Sequence, residues 1–145
     1  MNFSSKTSRF FLTSIVATIF LAACSRSSDE QQVRAVISGA EKAAKDRDAS
    51  DVLAFVADDY TDKSGLDKAQ LGNYLRGYFL THPKLEIIVN IDSLEFPAQG
   101  LAKARVGVAS VPLDQISSGD AVTLDVELRK TDGHWRVSRA DRVQR

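Results

Sequence analysis

A single cysteine, Cys24, leaves this chain of 145 residues unable to close an internal disulfide, so its fold must rest on packing and hydrogen bonds. Its two histidines, His82 and His134, have no Cys, His or Glu at zinc-ligand spacing. The acidic group Asp58, Asp59 and Asp62 departs from a calcium loop, with the basic Lys63 beside it, and no metal or other cofactor is expected. Phosphate-cradling glycine motifs and a nucleophile elbow are missing too, since Gly72 and Gly77 fall inside a helical pattern. Lys plus Arg equals Asp plus Glu at 19 each, which excludes the basic excess of a nucleic-acid binder. The apolar run "FFLTSIVATIFLAA", residues 10–23, is shorter than the roughly 20 residues that span a bilayer. What remains is a chain of one-domain length, able to bury one core.

The leader differs in kind from the rest. "MNFSSKTSR" carries Lys6 and Arg9, the apolar run follows, and Cys24 gives way to the polar "SRSSDEQQ". That order is a basic n-region, an apolar h-region and a small-residue cleavage site. "LAAC", residues 21–24, resembles the signal of bacterial lipoproteins. The resemblance implies a signal peptide over 1–23, with Cys24 as the first mature residue, carrying diacylglycerol on sulfur and a palmitate-type acyl chain on its amine. Several acyl chains hold a protein to a membrane almost irreversibly, where one is marginal. Ser25, in place of an aspartate, implies the periplasmic leaflet of the outer membrane. A core cysteine in a buried helix is the alternative, but the chain has no other apolar segment continuous enough to surround it. Loss of residues 1–23 leaves 17 basic against 19 acidic residues.

After a short tether, 24–28, hydrophobic spacing sets out three helices. Ser28 and Gln31 have capping spacing, and Val33, Val36, Ile37, Ala40 and Ala44 predict a helix over 29–46. Asp48, with Asp51 three residues on, caps a second whose apolar face runs Val52, Phe55, Val56 and Tyr60. Asp67 and Gln70 open a third, faced by Leu71, Tyr74, Leu75, Tyr78 and Phe79 and ended at His82 by Pro83. Its Gly77 suggests close packing beneath a sheet. From Leu85 the period falls to two, through "LEIIVNI", "LAKARVGVASV", "AVTLDVELR" and "HWRVSRAD", with Pro97 and Pro112 just outside the ladders. Asp132-Gly133 marks a hairpin between the last two strands. Lys103, Arg105, Asp125, Glu127, Arg129, His134, Arg136 and Ser138 fall on the wet face.

Helices followed by an antiparallel sheet give an α+β fold. With "DDYTDKSG" and "YLRGYF", the body from 29 to 145 resembles the nuclear transport factor 2-like (NTF2-like) group, also called cystatin-like or SnoaL-like. That implies three N-terminal helices packed on a curved antiparallel sheet to form a cone, with a short strand at residues 60–62. The resemblance implies a pocket in the cone, for which Tyr60, Asp62, Tyr74, Tyr78 and Asp92 are the candidate lining residues. Each has a plainer reading: core packing for the tyrosines, turn capping for the carboxylates. No catalytic residue is assigned. The leading expectation is a non-enzymatic envelope lipoprotein that meets the membrane through acylated Cys24 and binds an envelope protein or a small apolar molecule. An isomerase or cyclase with an acidic base in the cone, and a structural accessory subunit, are the alternatives. The resemblance also implies a homodimer through the sheet face.

Overall fold

The computed structural model describes residues 13–113 and 119–144, with side chains from Ser28 onward. It divides into two compact units, Met1–Gln32 and Val33–Arg145. Helix α1, Thr13–Lys45, starts well before the expected Ser28 cap. No proline or glycine between Thr13 and Ser27 interrupts it. Ser28 is therefore an interior residue, and its Oγ accepts from Gln32 Nε2 at 3.2 Å. The expected tether, 24–28, lies within this helix. Residues 1–12 of the expected signal peptide, and the Cys24 side chain, lie outside the described residues. Among the described residues, no helix is long and apolar enough to cross a membrane.

In the second unit α1 ends where Arg47 takes φ 56°. There Asp48 N–H reaches Ala43 O and Arg47 N–H reaches Ala44 O, satisfying the last carbonyls, while Lys42 and Lys45 offset the negative end of the helix dipole. Asp48 caps the six-residue α2, Ala49–Ala54, by accepting from Asp51 N–H. Tyr60 lies beyond this helix, which stops six residues short of it. From Phe55 the chain turns to the sheet instead: Val137 N–H donates to Phe55 O and Ala57 N–H to Val137 O, both at 2.9 Å. In place of the short strand expected at 60–62, Thr61 makes an isolated bridge to Asp67, and a separate bridge joins Val56 to Val137. Helix α3, Lys68–Thr81, opens on a full capping box between Asp67 and Gln70.

Four strands follow, β1 Leu85–Ala98, β2 Leu101–Pro112, β3 Asp120–Thr131 and β4 His134–Arg142, each paired antiparallel with the next. Asp132 and Gly133, at φ 52° and 78°, turn β3 into β4 as the "DG" pair demands. Pro97 and Pro112 sit within β1 and β2, not outside them. Pro97 falls in the irregular stretch between Glu95 and Ala98 of an edge strand, where a missing N–H costs no ladder bond.

One sheet face packs on the helices. Val33, Ala102, Ala104, Val106, Val126, Leu128 and Trp135 form its centre, with Phe96 edge-on to Trp135 at 6.0 Å. A second cluster joins Ala49 and Phe79 to Leu85 and Ile87. Three register shifts change which residues face out. One lies between Ile91 and Ser93, one between Glu95 and Ala98, and one at Glu127/Leu128, opposite Ser138. Ser138, expected on the wet face, is therefore only 3% exposed, and its Oγ donates to Glu127 O.

Candidate binding face

The five candidate pocket residues do not converge on one cavity. Tyr60 is buried, its hydroxyl 3.5 Å from Ala140 O. Burial, reinforced by the charges of Asp62 and Asp141, pushes its pKa up to about 12. Asp62 closes a turn, its Oδ1 accepting from Ser64 N–H at 2.8 Å and Leu66 N–H at 2.9 Å. Tyr74 is 58% exposed and stacks on Tyr78 at 6.2 Å. Tyr78 bonds Ser110 Oγ at 3.2 Å, while its other neighbour, His82, stacks on it at 4.3 Å. The His82 ring is fixed by Nδ1 against Tyr78 O at 2.9 Å; a carbonyl only accepts, so Nδ1 carries the proton. Asp92 stands at the β1 irregularity, with Asn90 Nδ2 donating to it at 2.7 Å. Tyr60 and Asp62 are neighbours; Tyr74 and Tyr78 belong to α3, and Asp92 to the far side of the sheet.

The face of the sheet turned away from the helices is built differently. Cross-strand register sets Glu95, Lys103, Glu127 and Arg139 in one row, and Ser93, Arg105, Asp125 and Asp141 in the next. Arg105 Nε pairs with Asp125 at 3.0 Å, which raises the guanidinium pKa further. Arg129 reaches both Glu127, at 3.4 Å, and Asp59, at 3.3 Å. Over these rows lies a cleft of about 530 Å³, lined by both rows and by Lys63. A second, of about 430 Å³, opens beside Asp92, Arg105, Thr123 and Arg142.

At the edge of the first cleft Asp141 is only 6% exposed. Its Oδ1 accepts from Lys63 N–H at 2.7 Å and its Oδ2 from Arg139 Nε at 2.6 Å. Burial alone would raise the Asp141 pKa, but the Arg139 guanidinium and the Lys63 N–H outweigh it and hold the carboxyl below its ordinary value. One carboxylate thus fastens the 60–66 turn to β4 and fixes a guanidinium over the face. Strict alternation through "HWRVSRAD" conceals Arg139 and Asp141. The apolar pair Val137 and Ala140, three apart, is the signal of the parity change. Among the described residues, no three His, Cys, Asp or Glu gather to hold a metal.

No family model matches the sequence, and no curated protein matches it either. Solved structures do match. A candidate scytalone dehydratase from Novosphingobium aromaticivorans aligns with TM-score 0.71 and 12% identity over 84% of this chain and 89% of its own. A cystatin-like domain of unknown function from Nostoc punctiforme aligns at 0.69 and 13%, over 81% of this chain and 78% of its own. An NTF2-like protein of unknown function from Pseudomonas putida aligns at 0.68 and 19%, over 82% and 88%. Identities this low speak for the fold alone: helices against a four-stranded antiparallel sheet, in the NTF2-like, cystatin-like arrangement.

Proposed function

We propose that this protein is an envelope lipoprotein, held to the membrane by acylated Cys24, whose NTF2-like body binds a protein through the outer, charged face of its sheet. One observation carries the binding assignment. The helix-covered face is occupied by Val33, Leu128, Phe96, Trp135 and their neighbours, while two clefts open on the face where charged rows lie exposed. On this scaffold a small apolar ligand needs an open, largely apolar cavity. The polar outer clefts suit another protein surface better, since specific interfaces combine close fit with a rim of hydrogen bonds and charge pairs. "LAAC" supports the anchor, and Ser25 supports the periplasmic leaflet of the outer membrane. Anchorage raises the local concentration of partners on the same membrane, so a modest interface suffices.

The test is a photo-reactive residue installed at Lys103, on the outer face, and separately at Lys42, an exposed position on α1. Irradiation of intact cells should give discrete protein adducts from position 103 and none from 42. Equal or absent adducts at both positions would contradict the assignment.

A further inference from the structure

Exposed leucines and unpaired cations meet at the end of the body where α3 runs into β1. We infer that this end rests on the anionic surface of the membrane that carries the anchor, with Leu80 and Leu113 dipping into it. The inference concerns a surface apart from the partner-binding face and takes from the proposed function only the anchor at Cys24.

Leu80, in the last turn of α3, is 82% exposed, and Leu113, just past β2, is 57% exposed. Three hydrogen bonds gather this end together. The Tyr78 hydroxyl on α3 reaches Ser110 Oγ on β2, Leu113 N–H donates to Lys84 O, and Arg47 Nη1 donates to Pro83 O. Arg76 stands one turn before Leu80 on the same stripe of α3. Arg47, Arg76 and Lys84 are exposed and have no carboxylate partner among the described residues. The carboxylates nearby are already engaged: Asp46 pairs with Lys42, Asp48 caps α2, and Glu86 lies 4.0 Å from Lys45. The end is therefore apolar at its tips and positive around them.

A single exposed leucine is ordinary on a protein surface, but leucines ringed by unpaired Arg and Lys match a lipid–water interface. Acyl chains take the apolar tips, while lipid phosphates take cations whose long stems lie along the surface. Tyr74, also exposed on α3, supplies the amphipathic ring that the headgroup region favours. The second compact unit begins at Val33, nine residues after Cys24. At about 3.3–3.6 Å per residue, an acylated Cys24 holds the start of that unit within roughly 30 Å of the lipid. Tethered so closely, the surface needs little affinity of its own. The opposite end of the β1–β2 hairpin, at Gln99, has no exposed large apolar side chain among the described residues.

The experiment installs an environment-sensitive fluorescent amino acid in the full chain at position 80, 113 or, as the control, 99. Each protein is purified from its native cells and placed on vesicles of phosphatidylethanolamine and phosphatidylglycerol that contain a doxyl-labelled lipid as quencher. Emission at 80 and 113 should shift to the blue and be quenched; emission at 99 should do neither. Arg76→Gln together with Lys84→Gln should weaken the contact by a factor of about 30, as should phosphatidylcholine alone, whereas Arg76→Lys with Lys84→Arg should preserve it. Circular dichroism checks that each variant is folded. Quenching at 80 no stronger than at 99, or unchanged by the neutralised pair, would overturn the proposal. The mass of the same chains reads the anchor separately: an unacylated chain still quenched at 80 and 113 sinks the anchor and leaves this surface standing, and an acylated chain quenched at neither does the reverse.

Discussion

Asp141 shows how one buried charge organises the edge of the sheet. It is 6% exposed yet ionised, because Arg139 Nε and Lys63 N–H both donate to it. Its carboxyl lies below the ordinary value of 3.8, so the native state binds this proton more weakly than the unfolded chain does. The resulting stabilisation is complete above an unfolded pKa of about 3.9 and is lost as pH falls through the lower native value. Asp141→Asn keeps the shape but turns an amide N–H₂ toward one of the two donors. It should cost about 1–3 kcal/mol at neutral pH, the penalty for an ill-satisfied buried group. Urea denaturation of both proteins should show a gap that is constant from pH 7 to about pH 5 and narrows below about pH 4. A gap independent of pH would mean that the charge contributes nothing.

Among the elements, the caps of α2 and α3 were legible because they are local: Asp48 to Asp51 and Asp67 to Gln70 are three residues apart, and both caps are made, whereas Ser28 and Gln31, with the same spacing, lie inside α1. Helix ends and faces set by distant partners were not. The run through Val56 and Tyr60 has helical spacing, but β4 offers its backbone a better set of hydrogen bonds, and α2 stops at Ala54. Tyr74 belongs to the apolar stripe of α3 by periodicity, yet only Gly72 and Phe79 are buried there, so the stripe that packs is narrower than the pattern suggests.

Close approach by a glycine is likewise decided by a neighbour, and it occurs at Gly72 and Gly39, not at Gly77. A Cβ at Gly72 would fall 2.7 Å from Leu53 Cδ1, and one at Gly39 would meet the ring of Phe55, whereas nothing lies within 4 Å at Gly77. Alanine is the better helix former by about 1 kcal/mol, so Gly77→Ala should stabilise by roughly 0.5–1 kcal/mol. Gly39→Ala should reverse that sign, since overpacking costs about 1–3 kcal/mol, and Phe55→Leu in the same chain should recover most of the loss. Thermal denaturation of the three variants would check this, and equal shifts for Gly39→Ala and Gly77→Ala would contradict the packing.

For the molecule as a whole, the α+β class followed from the switch in hydrophobic period at Leu85, because each period reports directly which residues must leave water. The register shifts did not follow, since a bulge is defined only against the strand beside it. They turn Ser93 and Glu95 outward and place Arg139 and Asp141 on the charged face, so the least legible features are those that complete the candidate site. A lipid at Cys24 would confine that face to the envelope, and its partners to molecules that reach the same surface. Intact mass and N-terminal fragment analysis of the protein purified from the membranes of its native cells tests this most directly. The account predicts a chain beginning at Cys24, with diacylglycerol on its sulfur and residues 1–23 absent. A chain that retains those residues, with an unmodified thiol and release into the soluble fraction, would contradict it.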